Sequence, residues 1–315
     1  MTDKQKLIVI TGPTAVGKTG LSIDLAKRVG GEIISADSMQ VYKYMDIGTD
    51  KIKPEKMEGV PHHLIDFLDP KEDFNVFIFQ KLVKEAIADI SSRGKVPIIV
   101  GGTGFYIQAV LYDIDFTETD EDDSYRKELE TRAANGEGDL LHQELAAIDP
   151  ESSQIIHANN VKRVIRALEY YKKTGRRISE HNAQQHQNES PYDFRCFVLT
   201  DERKTLYSRI EKRVDQMIEE GLEQEVRQIA AMGIPRNATS MQGLGYREML
   251  GYIDGEYDLD RAVYLIKRNT RHFAKRQLTW FKREKEVIWI DKKSFDHDDN
   301  KILEEMLRIY EHKDL

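Results

Sequence analysis

Residues 12–19 read Gly-Pro-Thr-Ala-Val-Gly-Lys-Thr, a match to the phosphate-loop pattern G-x-x-x-x-G-K-[ST]. The pattern is informative only between a strand and a helix. Here the apolar run LIVIT (7–11) precedes it and the helical pattern TGLSIDLAKRV (19–29) follows. Glycines let the backbone curl so that successive N–H groups converge on phosphate oxygens, and the helix N-terminus adds partial positive charge. Lys18 supplies a point charge, and the Thr19 hydroxyl is a ligand suited to Mg²⁺. Gly12, Pro13, Thr14, Ala15, Val16, Gly17, Lys18 and Thr19 are therefore expected to form an anion site. Such a loop fits ATP as readily as another diphosphate, so it names a ligand class and no reaction.

The flanking pattern extends the strand–helix alternation into a doubly wound α/β fold. EIISAD (32–37) reads as a second strand and HHLID (62–66) as a third. Residues 76–93 place Phe79, Leu82, Val83, Ala86, Ile87 and Ile90 on one helical face. VPIIVGGTG (96–104) is a strand running into a glycine turn, followed by a helix in FYIQAVLY. From about 117 to 190 strand signals vanish and helices are expected at 124–134, 139–147 and 159–173. Strands return in FRCFVLT (194–200) and EVIWID (286–291), with helices at 203–219, 221–232, 245–253 and 259–284 between them. The expected organisation is a core of 1–116 and 192–315 of phosphate-loop NTPase type, with a helical insertion over 117–191.

Charge narrows the partners. The chain of 315 residues carries a net charge of −8, with 40% apolar residues. No apolar run approaches membrane-spanning length, and the start lacks the apolar core and cleavage site of a secretory signal. A cytoplasmic monomer without membrane contact is expected. Nine acids crowd 113–130, whereas 261–285 hold nine Lys or Arg against Glu284 alone, and 160–177 hold seven against Glu169 alone. Two basic segments inside an acidic protein are the footprint expected of a selective RNA binder, and the charge runs alone fit solvated helix faces equally well. The lone Cys196 cannot form an intrachain disulfide and reads as a core residue. His62 and His63 point to opposite faces of a strand and do not form a metal pair.

Two polar residues fall at the carboxyl edge of the expected sheet, where such folds place ligands. Asp37 ends the second strand, and Thr103 lies in the glycine turn after VPIIV. By type alone, Asp37 suits either a turn or general-base work.

With these residues placed, the sequence resembles the tRNA dimethylallyltransferase family, the isopentenyl-diphosphate:tRNA transferases, over nearly its whole length. The resemblance rests on GPTAVGKT (12–19), SADSMQVYKYMDIGT (35–49), PHHLID (61–66), VGGTGFYIQAVL (100–111), IHANNVKRVIRALE (156–169), GLGYREM (243–249) and AKRQLTWFK (274–282). It implies that the loop holds the diphosphate of dimethylallyl diphosphate, with Mg²⁺ at Thr19, and that the acceptor is the adenosine beside the anticodon of a tRNA. It further implies that Lys18, Asp37, Thr103 and Arg213 are catalytic, Asp37 as general base and Arg213 on the diphosphate. Arg209, one turn earlier, is an alternative by helical spacing. The implied tRNA contacts are Asp37, Ser38, Met39, Gln40, Thr103, Arg126, Val161, Lys162, Arg163, Val164, Ile165, Gly245, Tyr246, Arg271 and Arg276. Arg126 could instead pair with Glu130, and Tyr246, Trp280 and Phe281 suit either stacking or the core. A prenyltransferase acting on free adenine nucleotides and a phosphate-loop kinase are the competing readings. Neither accounts for the basic helices.

Overall fold

The computed structural model describes residues 4–116, 124–185 and 188–311. The chain divides into two compact units, Tyr112–Ser190 and the pair of segments Met1–Leu111 and Pro191–Leu315.

The larger unit is built on a sheet of six parallel strands: β1 (Gln5–Thr11), β2 (Gly31–Ala36), β3 (His62–His63), β4 (Val96–Gly101), β5 (Tyr192–Thr200) and β6 (Ile288–Asp291). Their order across the sheet is β3-β2-β4-β1-β5-β6. The connections are α1 (Lys18–Val29), α2 (Val76–Ser92) and α3 (Gly104–Leu111), then, beyond the second unit, α9 (Arg203–Glu219), α10 (Leu222–Ala231), α11 (Tyr246–Ile253), α12 (Leu259–Phe281) and α13 (Asp299–Glu311). A sheet covered on both faces reads as continuous apolar runs, and β1 buries all five residues from Leu7 to Thr11. The pleat sends alternate residues to one face, so Ile8, Ile10, Ile33, Ile98, Phe197 and Leu199 join a cluster with Leu21 and Leu25 of α1, Leu206 and Ile210 of α9 and Ile302 and Met306 of α13. Each fully buried aliphatic side chain there contributes roughly 1.5–3 kcal/mol relative to leaving it in water.

The third strand is shorter than HHLID suggests. Leu64 (φ 59°) and Asp66 (φ 56°) are left-handed, which ends the ladder after two residues. The histidines are structural: His63 Nε2 lies 2.8 Å from Glu32 Oε2, and His62 Nδ1 lies 2.8 Å from the Val60 carbonyl oxygen.

The smaller unit is helical: α4 (Ser124–Ala134), α5 (Gly138–Ile148), α6 (Pro150–Ile155), α7 (Val161–Thr174) and α8 (Ile178–Gln185). Its core gathers Leu129, Leu141, Leu145, Val164, Ile165, Ala167 and Leu168. Sequence periodicity misses α6 and α8 because each is too short to display a stripe. They are fixed instead by buried Asp149, whose carboxylate accepts from the Ser152 and Ser179 amides at 3.0 Å and from both hydroxyls at 2.7 Å. The acidic stretch 117–123, read as the start of the insertion, lies outside the described residues.

Candidate active site

β1 ends against the glycine-rich loop, and Gly12 makes the turn possible. Its φ is 135°, and a Cβ there would stand 2.4 Å from the Leu199 carbonyl oxygen of β5. Only glycine fits. Ala15 (φ 63°) and Gly17 (φ 95°) are also left-handed, the kind of backbone that aims successive amides at one anion. α1 starts at Lys18, whose ammonium donates back to the carbonyl oxygens of Gly12 (3.1 Å) and Pro13 (2.9 Å). Burial pushes the Lys18 pKa down from 10.5 to about 8; Asp37 and Asp50 oppose that shift and Arg213 adds to it. Thr19 is exposed in the first helical turn.

Arg213 reaches this loop from α9. One of its terminal nitrogens donates to Thr14 Oγ1 at 3.0 Å. Its Nε lies 3.3 Å from Asp50 Oδ2 but is misaligned, so this buried nitrogen makes no hydrogen bond. Arg209 is engaged elsewhere, 2.8 Å from the fully buried Asp201 carboxylate. Of the two arginines allowed by helical spacing, Arg213 is therefore the one at the loop.

Asp37 follows the last residue of β2. Its Oδ1 accepts from the Met39 amide at 2.9 Å and the Gln40 amide at 3.4 Å, an Asx turn that fixes the side chain. Its Oδ2 makes no hydrogen bond among the described residues. The turn role and an open carboxylate oxygen thus coexist in one residue. Thr103 immediately precedes α3 and accepts from the Tyr106 and Ile107 amides through its carbonyl oxygen, at 3.0 and 3.2 Å. Its hydroxyl makes no hydrogen bond among the described residues.

Several residues expected to touch RNA are placed otherwise. Gln40 accepts from Ser35 Oγ at 3.3 Å and donates to the carbonyl oxygens of Thr49 and Asp50 at 3.1 and 3.3 Å, so its amide secures the following loop. Tyr246 is fully buried and donates to Glu225 Oε1 at 2.5 Å, which removes it from base stacking. Phe281 is likewise core. Val164 and Ile165 lie in the core of the helical unit, so the 161–165 segment offers solvent chiefly Lys162 and Arg163. Gly245 is buried and its amide donates to Glu248 at 2.9 Å. Arg126 pairs with buried Glu169 at 2.7 Å, not with Glu130. Arg271 pairs with Glu211 at 2.6 Å, whereas Arg276 is exposed. Half-buried Met39 packs on Gly243, which brings the 37–40 strip against the GLGYREM segment.

His272, Lys275, Arg276, Thr279 and Trp280 of α12, with Arg283 just beyond its end, line an open groove of about 450 Å³. Sequence reasoning had no signal for Glu225. Buried on α10, it accepts from the amides of Asp46 (2.9 Å), Ile47 (2.7 Å) and Gly48 (3.0 Å), and so holds the loop after Asp37. Cys196 is buried, and burial raises its thiol pKa to about 12, which leaves it inert.

A family model described as IPP transferase matches residues 40–284, and one described as Isopentenyl transferase matches residues 5–69. The chain belongs to the IPP transferase family. A tRNA dimethylallyltransferase from Lachnoclostridium phytofermentans is 58% identical over 311 residues, covering 99% of both chains. Among solved structures, a tRNA isopentenylpyrophosphate transferase from Bacillus halodurans is 46% identical, with TM-score 0.70 over 98% of this chain and 100% of that one. The corresponding Staphylococcus epidermidis enzyme is 44% identical, with TM-score 0.71 over 97% and 98%. Membership in the IPP transferase family makes the protein a transferase, and none of its described helices is long and apolar enough to cross a membrane.

Proposed function

We propose that the protein transfers the dimethylallyl group of dimethylallyl diphosphate to the exocyclic amine of the adenosine 3′ of the anticodon, in tRNAs that read codons beginning with U. The observation that carries this reading is the convergence of Lys18, Arg213 and Asp37 at one loop, in a chain of the IPP transferase family. The loop amides, Lys18 and Arg213 hold the diphosphate. As the allylic C–O bond breaks, its electron pair leaves with the diphosphate, where fixed donors stabilise the growing charge. The amine nitrogen forms the new C–N bond and its proton passes to Asp37 Oδ2. The amine is a weak nucleophile because its lone pair is delocalised into the ring, so a positioned carboxylate matters. The Thr103 hydroxyl can hydrogen-bond donor and base without adding charge beside a carbocation-like centre.

Among the described residues no three His, Cys, Asp or Glu side chains gather to hold a metal. The single Thr19 hydroxyl nevertheless suits Mg²⁺, which keeps waters and binds substrate phosphates. Held there, the ion would add positive charge opposite the leaving group. The target base must leave the anticodon stack, and exposed Lys162, Arg163 and Arg276 are suited to phosphate contacts that make extrusion affordable. The decisive assay offers labelled dimethylallyl diphosphate and Mg²⁺ to unmodified tRNA, AMP and ATP in parallel. Label should enter tRNA alone, with the rate falling by roughly 10²-fold or more in Asp37→Ala. Label in AMP or ATP would overturn the acceptor assignment, and an unaffected Asp37→Ala would overturn the base.

A further inference from the structure

Gln277 is a neutral, buried side chain on α12 in a basic stretch of chain, with Lys275 and Arg276 before it and Lys282 and Arg283 just past the helix end. Both ends of its amide are used. Oε1 accepts from the Thr14 amide at 2.9 Å, and Nε2 donates to the Gly102 carbonyl oxygen at 2.9 Å. Thr14 is the third residue of the glycine-rich loop and also receives Arg213; Gly102 immediately precedes Thr103. Below the loops, Thr11 Oγ1 donates to the Gly101 carbonyl oxygen at 2.8 Å and ties the strand ends. Gln277 continues that tie beyond the strands, from loop to loop.

The contact is specific in shape and chemistry. A Cβ at Gly102 would stand 2.2 Å from Gln277 Nε2, so the approach needs glycine. Three residues along α12, Trp280 packs on Gly104 as tightly, with its Cδ1 2.3 Å from where a Cβ would be. α12 thus fixes the residues on either side of Thr103. The position requires an acceptor toward an N–H and a donor toward a C=O from one planar neutral group. Lysine and arginine offer only donors, an ionised glutamate only acceptors, and asparagine is one methylene short of the span.

We infer that Gln277 is a positioning residue for the transfer: it sets the register of the loop that holds the diphosphate against the turn that presents Thr103. The inference rests on the proposed reaction, in which those loops carry the donor and border the acceptor. Errors of about 1 Å in such a register cost up to roughly 10²-fold in rate.

The test compares Gln277→Met, which keeps the volume and neither hydrogen bond, with Gln277→Glu. Protonated glutamic acid restores one donor and one acceptor, so the Glu variant should be rescued at low pH. Lys18, Arg213, Asp37 and Asp50, the charged groups around the loop, are common to all three proteins, and their titration cancels in the ratio of the uncharged Met variant to wild type at matched pH. With tRNA and saturating dimethylallyl diphosphate, kcat of the Met variant should fall at least about tenfold, by a factor independent of pH. The Glu variant should lose as much at about pH 8.5 and recover severalfold relative to wild type toward about pH 6. Thermal melts establish that each variant is folded, and the Glu variant carries the test alone if the Met variant is not. Two folded variants within about twofold of an active wild type overturn the inference, as does a loss in the Glu variant that low pH leaves unchanged, since packing alone then explains it. A wild type that prenylates no tRNA overturns the proposed function itself.

Discussion

Lys18 has to be charged to hold a diphosphate, yet burial lowers its pKa to about 8. The sign follows directly. A lysine depressed in the folded state is protonated in both states below pH 8; between 8 and 10.5 the unfolded chain still holds a proton that the folded one has released. Stability therefore carries a penalty below pH 8 that is relieved as pH rises toward 10.5. Anion binding runs the other way, because it favours the ammonium. Corrected for the ligand's own ionisation, the affinity for inorganic diphosphate should be nearly constant below about pH 8 and weaken by up to about tenfold per pH unit above it, with proton uptake on binding growing toward one. Calorimetry in buffers of different ionisation enthalpy measures both, and a flat affinity to about pH 9.5 would sink the argument. Asp37 shows how much one residue can carry. Its Oδ1 closes the turn that orients Oδ2, so the structural role of the side chain would be the means of the base role proposed for it.

Among the elements, α10 and α12 act at a distance from their own sequence neighbours. Glu225 of α10 neutralises three amides of the 46–48 turn and the Tyr246 hydroxyl, and that turn is joined to the Asp37 strip through Gln40. The buried carboxylate holds the Tyr246 proton in place: burial first, then the Glu225 charge, raise the phenol pKa well above its usual value. Glu225→Gln replaces an acceptor by a donor facing N–H groups, and should lower stability by about 2–3 kcal/mol in urea unfolding. The same variant should loosen the Asp37 strip and reduce kcat, while a loss in KM for tRNA alone would contradict this picture. No periodicity announces such a residue. Glu225 reads as one more charged helix position, and Gln277 as a polar residue in a basic stretch. What makes them structural is the loop each meets 178 and 175 residues away in sequence.

At the scale of the whole molecule, the candidate site residues Lys18, Asp37 and Thr103 gather at the carboxyl ends of the strands, and an ion pair on buried Glu32 secures the start of β2. Glu32 accepts from Arg93 at 2.7 Å and lies 2.8 Å from His63; the Arg93 hydrogen bond chiefly lowers its pKa to about 2 against the effect of burial. A carboxyl depressed in the folded state stabilises above its unfolded pKa, near 4.5, and that contribution is lost as pH falls from 4.5 toward 2. Arg93 is 42% exposed, so water screens its side of the pair, but Arg93→Ala leaves the buried Glu32 carboxylate without its main donor and should move acid unfolding to higher pH. An unchanged acid midpoint would refute the link. The sequence by itself determined the strand–loop–helix at 7–29, the parallel α/β class, the helical run after 124 and the family, because these depend on local periodicity and on residue types at fixed spacing. It left open whether Arg209 or Arg213 lies at the loop and whether Tyr246 faces RNA or the core, and it put Val164 and Ile165 among the RNA contacts although both are core. It was silent on Glu225 and Gln277. Only the tertiary structure decided these, because burial and pairing between residues far apart in the chain arise when packed elements exclude water, and leave no periodic trace in the segments they join.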